Sequence, residues 1–209
     1  EFRRVLFRSD IDMVLSAQNS DDSDEYIKSQ MIKQAESTSA LLSATTAGEV
    51  GEVNGILYVN DGTKMVKLNI DADTYLNLFP PMQRYIVQQG KGMCDCFFLA
   101  TGAMPLVETG EGFAKLLQMF EQKSSGDIIL TIPGYSNYPV TFKDGQTKEV
   151  DGKYYLSGMK IETNAIGVNS CLGIVMLEQA YALARFGETH KTAIENLDID
   201  KAFDYIFKQ

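Results

Sequence analysis

Leu76 to Ala100, LNLFPPMQRYIVQQGKGMCDCFFLA, is the stretch whose reading decides the fold. Its apolar opening must end at Pro80-Pro81, because proline lacks an amide donor and disfavours helix in the residue before it. Gln83 to Met93 carries three amides and two glycines and reads as loop. Asp95 then stands as a helix cap, and Cys96 to Val107 (CFFLATGAMPLV) is strongly apolar. A thiol at such a helix start is held toward thiolate by the macrodipole and the unpaired amides. The same amides can stabilise an oxyanion beside an attacked carbonyl. Gln88-Gln89-Gly90-Lys91-Gly92 supplies a loop through which backbone and a side-chain amide can approach a substrate. The other reading of a cysteine in an apolar helix is an inert packing residue, which is the commoner case.

Outward from this stretch, periodicity and turn chemistry order the chain. Ile27, Met31, Ala35 and Leu41/Leu42 predict a loosely amphipathic helix from Tyr26 to Leu42, which Gly48 to Gly55 breaks. Ile56 to Val59 and Met65 to Ile70, around Asn60-Asp61-Gly62, predict a hairpin. Asp71 or Asp73 can cap a short helix through Leu78. Downstream, Phe113 to Phe120 has a helical apolar face, and Gly110-Glu111-Gly112 reads as its starting turn. Ile128 to Ile132, Pro139 to Phe142 and Glu149 to Leu156 read as strands, with Asp144-Gly145 as a turn. Ser170 to Phe186 is the best helix after Cys96, stopped by Gly187, and Asp200 to Phe207 is a last short one. Helices lead and strands follow, so the expected class is α+β.

Composition removes several kinds of function. With 209 residues and 44% of them hydrophobic, the chain can seal a core and is not a disordered one. A formal net charge of −9 leaves no basic stripe for a phosphate backbone, so nucleic acid is not an expected partner. No apolar run is long enough to predict a membrane span. Three cysteines make no disulfide scaffold. His190 is the single histidine, so chemistry needing two, including most zinc sites, has no ligands in these residues. Asp198, Asp200 and Asp204 lack the intervening glycine of a calcium loop and read as solvated helix caps.

The stretch from Leu76 to Ala100 resembles the bacterial members of the calpain family of cysteine peptidases. There a run like LFPP, a basic-aromatic pair and Q-G-x-x-G-D-C-(W/Y/F)-(F/L)-L lead into the catalytic helix. Leu177 to Gly187 (LEQAYALARFG) resembles the family's L-L-E-K-A-Y-A-K helix, and Val140-Thr141-Phe142 with Asp144-Gly145 fits its V-x-F-x-D-G pattern between them. The resemblance covers about half of the chain. It implies a papain-like cysteine peptidase fold, mainly the helical nucleophile-bearing subdomain plus a small antiparallel sheet. It also implies an endopeptidase acting on protein or peptide substrates. Carried over, Cys96 is the nucleophile and Gln89 the oxyanion-hole amide. The interval from Gln89 to Cys96 is one position longer than the family's, and Cys94 stands where glycine is expected. Taking Cys94 as nucleophile restores the interval from Gln88 but puts Asp95 where an aromatic should follow. Cys96 is therefore preferred.

Cysteine peptidase chemistry also needs an imidazole beside the thiol and an asparagine or aspartate to orient it. The papain-type interval of about 130–150 residues after the cysteine falls past Gln209. His190 follows the LEQAYALARFG helix almost directly and reads as an exposed residue of a linking loop. The expectation is a chain with the nucleophile half of a site and not the base half, inactive alone. The resemblance implies no cofactor, and leaves calcium open with no ligands that map onto these residues. Glu1 to Ser9 (EFRRVLFRS) reads as the translation of a sequencing adaptor, residues 10–70 as an N-terminal helix and hairpin region, and 71–209 as a partial calpain-like peptidase domain. No signal peptide is legible at the N-terminus, and no compartment follows from it. A second expectation is a degenerate family member whose altered loop serves binding or scaffolding.

Overall fold

A computed structural model describes residues 31–80, 98–133, 140–142, 147–150, 153–156 and 171–186. Among the described residues the architecture is mixed, with five α-helices and small, mostly antiparallel sheets, α+β in kind.

The first sheet holds β1 (Ile32–Gln34), β2 (Val50–Val53), β3 (Ile56–Asn60) and β4 (Met65–Lys67) in sequence order. The hairpin expected around Asn60-Asp61-Gly62 is β3 and β4, paired antiparallel. Two expectations are corrected here. The helix read from Tyr26 to Leu42 is, over its described part, a strand and then a shorter helix. Ile32 is buried and pairs parallel with Val50. Ser37 caps α1 (Thr38–Ala44) by accepting the Ala40 amide at 3.2 Å, so the helix starts where a capping side chain is available. The stretch read as a break, Gly48 to Gly55, contains β2. Asn54 and Gly55 take φ values of +51° and +77°, the left-handed pair of a two-residue hairpin turn joining β2 to β3. Gly51 leaves room on β2 for Leu41, whose Cδ2 would lie 2.4 Å from a Cβ there.

Asp71 caps α2 (Ala72–Leu78), accepting the Thr74 amide at 2.8 Å, as its sequence position predicts. Its other oxygen accepts from the Gln122 side chain at 2.9 Å, and Gln122 in turn accepts the Asp71 amide at 2.9 Å. One carboxylate thus fixes a helix start and fastens it to a strand far along the chain.

The helical run after Cys96 has begun by Phe98, which has φ −66° and ψ −44°. Leu99–Ala103 is a π-helical turn closed by the Met104 amide on the Leu99 carbonyl, and α3 (Met104–Glu108) continues it. Pro105 explains the widening, because it cannot donate to the preceding turn and its ring would strike the carbonyl there. Thr109 then accepts the Gly112 amide at 3.0 Å and caps α4 (Gly110–Leu117). The expected helix from Phe113 to Phe120 begins earlier and stops sooner. Phe120 opens β5 (Phe120–Gln122), which pairs with β6 (Ile128–Leu130) and through it with β7 (Val140–Phe142). The single strand expected from Glu149 to Leu156 is two, β8 (Thr147–Val150) and β9 (Lys153–Leu156), paired antiparallel with Val150 opposite Lys153. Asp151-Gly152, a favoured hairpin dipeptide, separates them. The last described element, α5 (Leu172–Phe186), matches the helix expected from Ser170.

One buried cluster joins the first sheet, α2, the π turn, α3, α4, β5, β6 and α5. Phe79 lies at its centre, edge-on to Phe113 at 5.3 Å and to Phe120 at 5.5 Å between ring centroids. Among the described residues no helix is long and apolar enough to cross a membrane.

Candidate active site

The expected nucleophile Cys96, its alternative Cys94, the amide Gln89 and the histidine His190 lie outside the described residues, as do the loop from Gln83 to Met93, the Asp95 cap and the Asp200 helix. The structure does describe the two segments that lead up to and away from that loop, and the helix they meet.

Leu78 and Phe79 end α2 just before Pro80-Pro81, and Phe98 stands two residues after Cys96. All three are fully buried, and all three meet α5 or the residue that precedes it. The Cys171 thiol donates to the Leu78 carbonyl at 3.3 Å. The Phe79 ring lies over Gly173, so close that a Cβ at that position would stand 2.3 Å from Cε1 and Cζ. Phe98 stacks on Tyr181 with ring centroids 4.5 Å apart and planes 21° from parallel. A hydrogen bond, a close approach and a ring stack thus bring the LFPP and CFFLA segments onto the helix that carries LEQAY.

These contacts were not legible beforehand. Gly173 within an otherwise apolar helical run was a signal for close approach. Glu178, the one acidic residue in α5, was another: it is only 5% exposed. Cys171, which directly precedes α5, had no such signal. It is buried, with its proton on a backbone carbonyl, which favours the neutral thiol over the thiolate.

Among the described residues no three His, Cys, Asp or Glu side chains gather as a metal site would require. Compared with protein families, with characterised proteins and with solved structures, the chain matches none.

Proposed function

We propose that the chain carries the nucleophile-bearing part of a calpain-like cysteine endopeptidase with a papain-like fold. The observation that supports this best is the meeting of the Leu76 to Ala100 stretch with the helix that carries LEQAY, Leu78, Phe79 and Phe98 lying against Cys171, Gly173 and Tyr181. Segments roughly ninety positions apart in sequence are thereby joined, in the order in which the resemblance has their motifs.

In this reading the Cys96 thiolate adds to the carbonyl carbon of a peptide bond. The oxyanion so formed is held by the Gln89 side-chain amide and the Cys96 backbone amide. Collapse of that intermediate breaks the C–N bond and leaves a thioester on Cys96, and the departing amine takes up a proton. Water then adds to the thioester, releasing a carboxylate product and restoring the thiol. Both proton transfers need an imidazole, for which no residue of the chain is proposed. The chain alone is accordingly expected to be alkylated at Cys96 and not to turn over peptide.

Labelling with a peptidyl vinyl sulfone tests the reading. Modification at Cys96, abolished in C96A and retained in C94A, is the expected result. Equal labelling of parent and C96A would remove Cys96 as nucleophile. The alternative, a non-catalytic binding or scaffold module, is favoured by the extra position between Gln89 and Cys96 and by Cys94 in place of glycine. It predicts that the protein binds peptides without selective labelling at Cys96.

A further inference from the structure

Asn54 and Gly55 form the turn between β2 and β3, and both are exposed. Asn54 is the one non-glycine residue with a positive φ among the described residues, and Asn54-Gly55 is the one Asn-Gly pair in the sequence. The ladder pairs Val53 with Ile56, which leaves the Gly55 amide outside it. Apart from its chain neighbours, no atom lies within 4 Å of where a Cβ of Gly55 would stand, so no packed group restrains the turn there.

The next hairpin turn is built differently. The Gly62 amide donates to Asn60 Oδ1 at 2.8 Å, and Asp61 Oδ1 accepts from the Thr63 hydroxyl and from two backbone amides. Asn60 is buried, and its side-chain nitrogen donates to the Thr45 carbonyl at 3.0 Å. Asn77 lies within α2, and Asn69 precedes the buried, branched Ile70. Asparagine is a labile residue, and its reaction depends on how readily the following backbone nitrogen reaches its side chain.

We propose that Asn54 is a site of spontaneous deamidation through a cyclic imide, a modification independent of any peptidase activity. Rotation about the Cα–C bond of Asn54 brings the Gly55 nitrogen to the side-chain carbonyl carbon. A C–N bond forms between them, the Gly55 nitrogen gives up its proton, and the side-chain nitrogen leaves as ammonia. Water then opens the ring. Addition at the side-chain carbonyl leaves aspartate on an ordinary backbone. Addition at the main-chain carbonyl leaves isoaspartate, with the Asn54 Cβ inserted into the main chain. That form lengthens a turn whose two residues fix the β2–β3 register, with Val53 and Leu57 buried beside it.

Incubation of the folded protein at mildly alkaline pH, with peptide mass mapping over time, tests the proposal. Aspartate and isoaspartate are expected at Asn54 ahead of any conversion at Asn60, Asn69 or Asn77, the isoaspartate being read by enzymatic methylation of its α-carboxylate. G55A is expected to lose most of the conversion, because a methyl group beside the nitrogen hinders its attack. Circular dichroism reports whether G55A is folded, and the same loss is expected when parent and variant are compared unfolded in urea. Conversion at Asn54 of the folded parent no faster than at Asn69 or Asn77 would overturn the proposal. So would conversion to aspartate alone, which marks direct hydrolysis, or undiminished conversion of G55A in urea.

Discussion

Replacing Gly173 by alanine tests the joint between α5 and Phe79. A Cβ at this position would lie 2.3 Å from both Cε1 and Cζ of Phe79 and 3.0 Å from Cε2. Ordinary carbon contacts are about 3.5–4.0 Å, so the ring must retreat by more than about 1 Å. A ring at the end of a flexible side chain could do so at small cost, but this one is walled in. Phe113 and Phe120 stand edge-on to it at 5.3 and 5.5 Å, and Tyr75 lies at 6.5 Å. Overpacking of this kind costs about 1–3 kcal/mol, and the walls place Phe79 at the upper end. Alanine regains about 1 kcal/mol over glycine in a helix interior. The net expectation is a loss of about 2 kcal/mol, which for a chain of this size lowers Tm by roughly 4–8 °C. Thermal melting by circular dichroism, with a urea titration for the free energy, measures it. In the double variant G173A/F79L the smaller side chain should relieve the overlap, so the two losses should sum to more than the double loss. A Tm for G173A equal to or above the parent's would refute the packing argument, as would strict additivity in the double variant.

Phe98→Ala removes a fully buried ring stacked on Tyr181 and is expected to cost about 3–5 kcal/mol; urea denaturation checks it, and a loss below that of an exposed substitution would contradict the stack's role. Asp71→Ala removes a helix cap and the clamp to Gln122 together, with an expected loss of about 1–2 kcal/mol from the cap. Gln122→Ala in the same background should then add little, because its partner is already gone. Asp61 accepts the Thr63 hydroxyl at 2.7 Å and the Thr63 and Lys64 amides at 2.9 Å each, and these bonds hold its carboxyl below the usual aspartate range. The unfolded chain therefore takes up this proton first as pH falls. Stability from Asp61 is full above the ordinary aspartate pKa of about 3.9 and is lost as pH drops through the lower folded value. The Tm difference between parent and D61N should shrink on going into acid, and a difference that widened there would reverse the sign of the argument.

Where one local signal suffices, sequence and structure agree. Asp71 caps the helix that Pro80 ends, the Asp61 turn makes a hairpin, and Leu172–Phe186 is helical. Disagreement arises where two local signals compete or where a distant partner decides. Met31 and Ala35 continue the helical spacing from Ile27, yet burial of Ile32 against Val50 in a parallel pair draws Ile32–Gln34 into a strand. Parallel pairing leaves no turn in the sequence to announce it. Val50–Val53 was hidden by its flanking glycines, although Asn54-Gly55 was a hairpin turn in plain view. Phe120 continues the apolar spacing of α4, but its ring is drawn to Phe79 and its backbone to Leu130, so it begins a strand. The candidate site follows the same division. Its thiol and amide were read from local motif, whereas the contacts between its flanks and α5 depend on tertiary packing that no spacing along the chain encodes.

The cysteines make the distinction concrete. An apolar helix around a thiol does not itself separate a core residue from a nucleophile, since both want apolar neighbours. What separates them is the polar group the sulfur meets and its place along the helix. Cys171 directly precedes α5, yet its proton goes to the Leu78 carbonyl, and burial penalises the thiolate further. Proximity to a helix start is thus insufficient when a carbonyl takes the proton. By the same physics, Cys96 is an effective nucleophile only if donors, and not carbonyls, face its sulfur. The bond that quiets Cys171 also anchors the segment before the loop. Replacing Cys171 by alanine should therefore loosen that anchor and change alkylation at Cys96, although the two thiols lie far apart in sequence. Replacement by serine, which can still donate to Leu78, should change it less. Equal effects of the two substitutions would mean that the bond carries no positional information, and that the volume of the side chain alone matters.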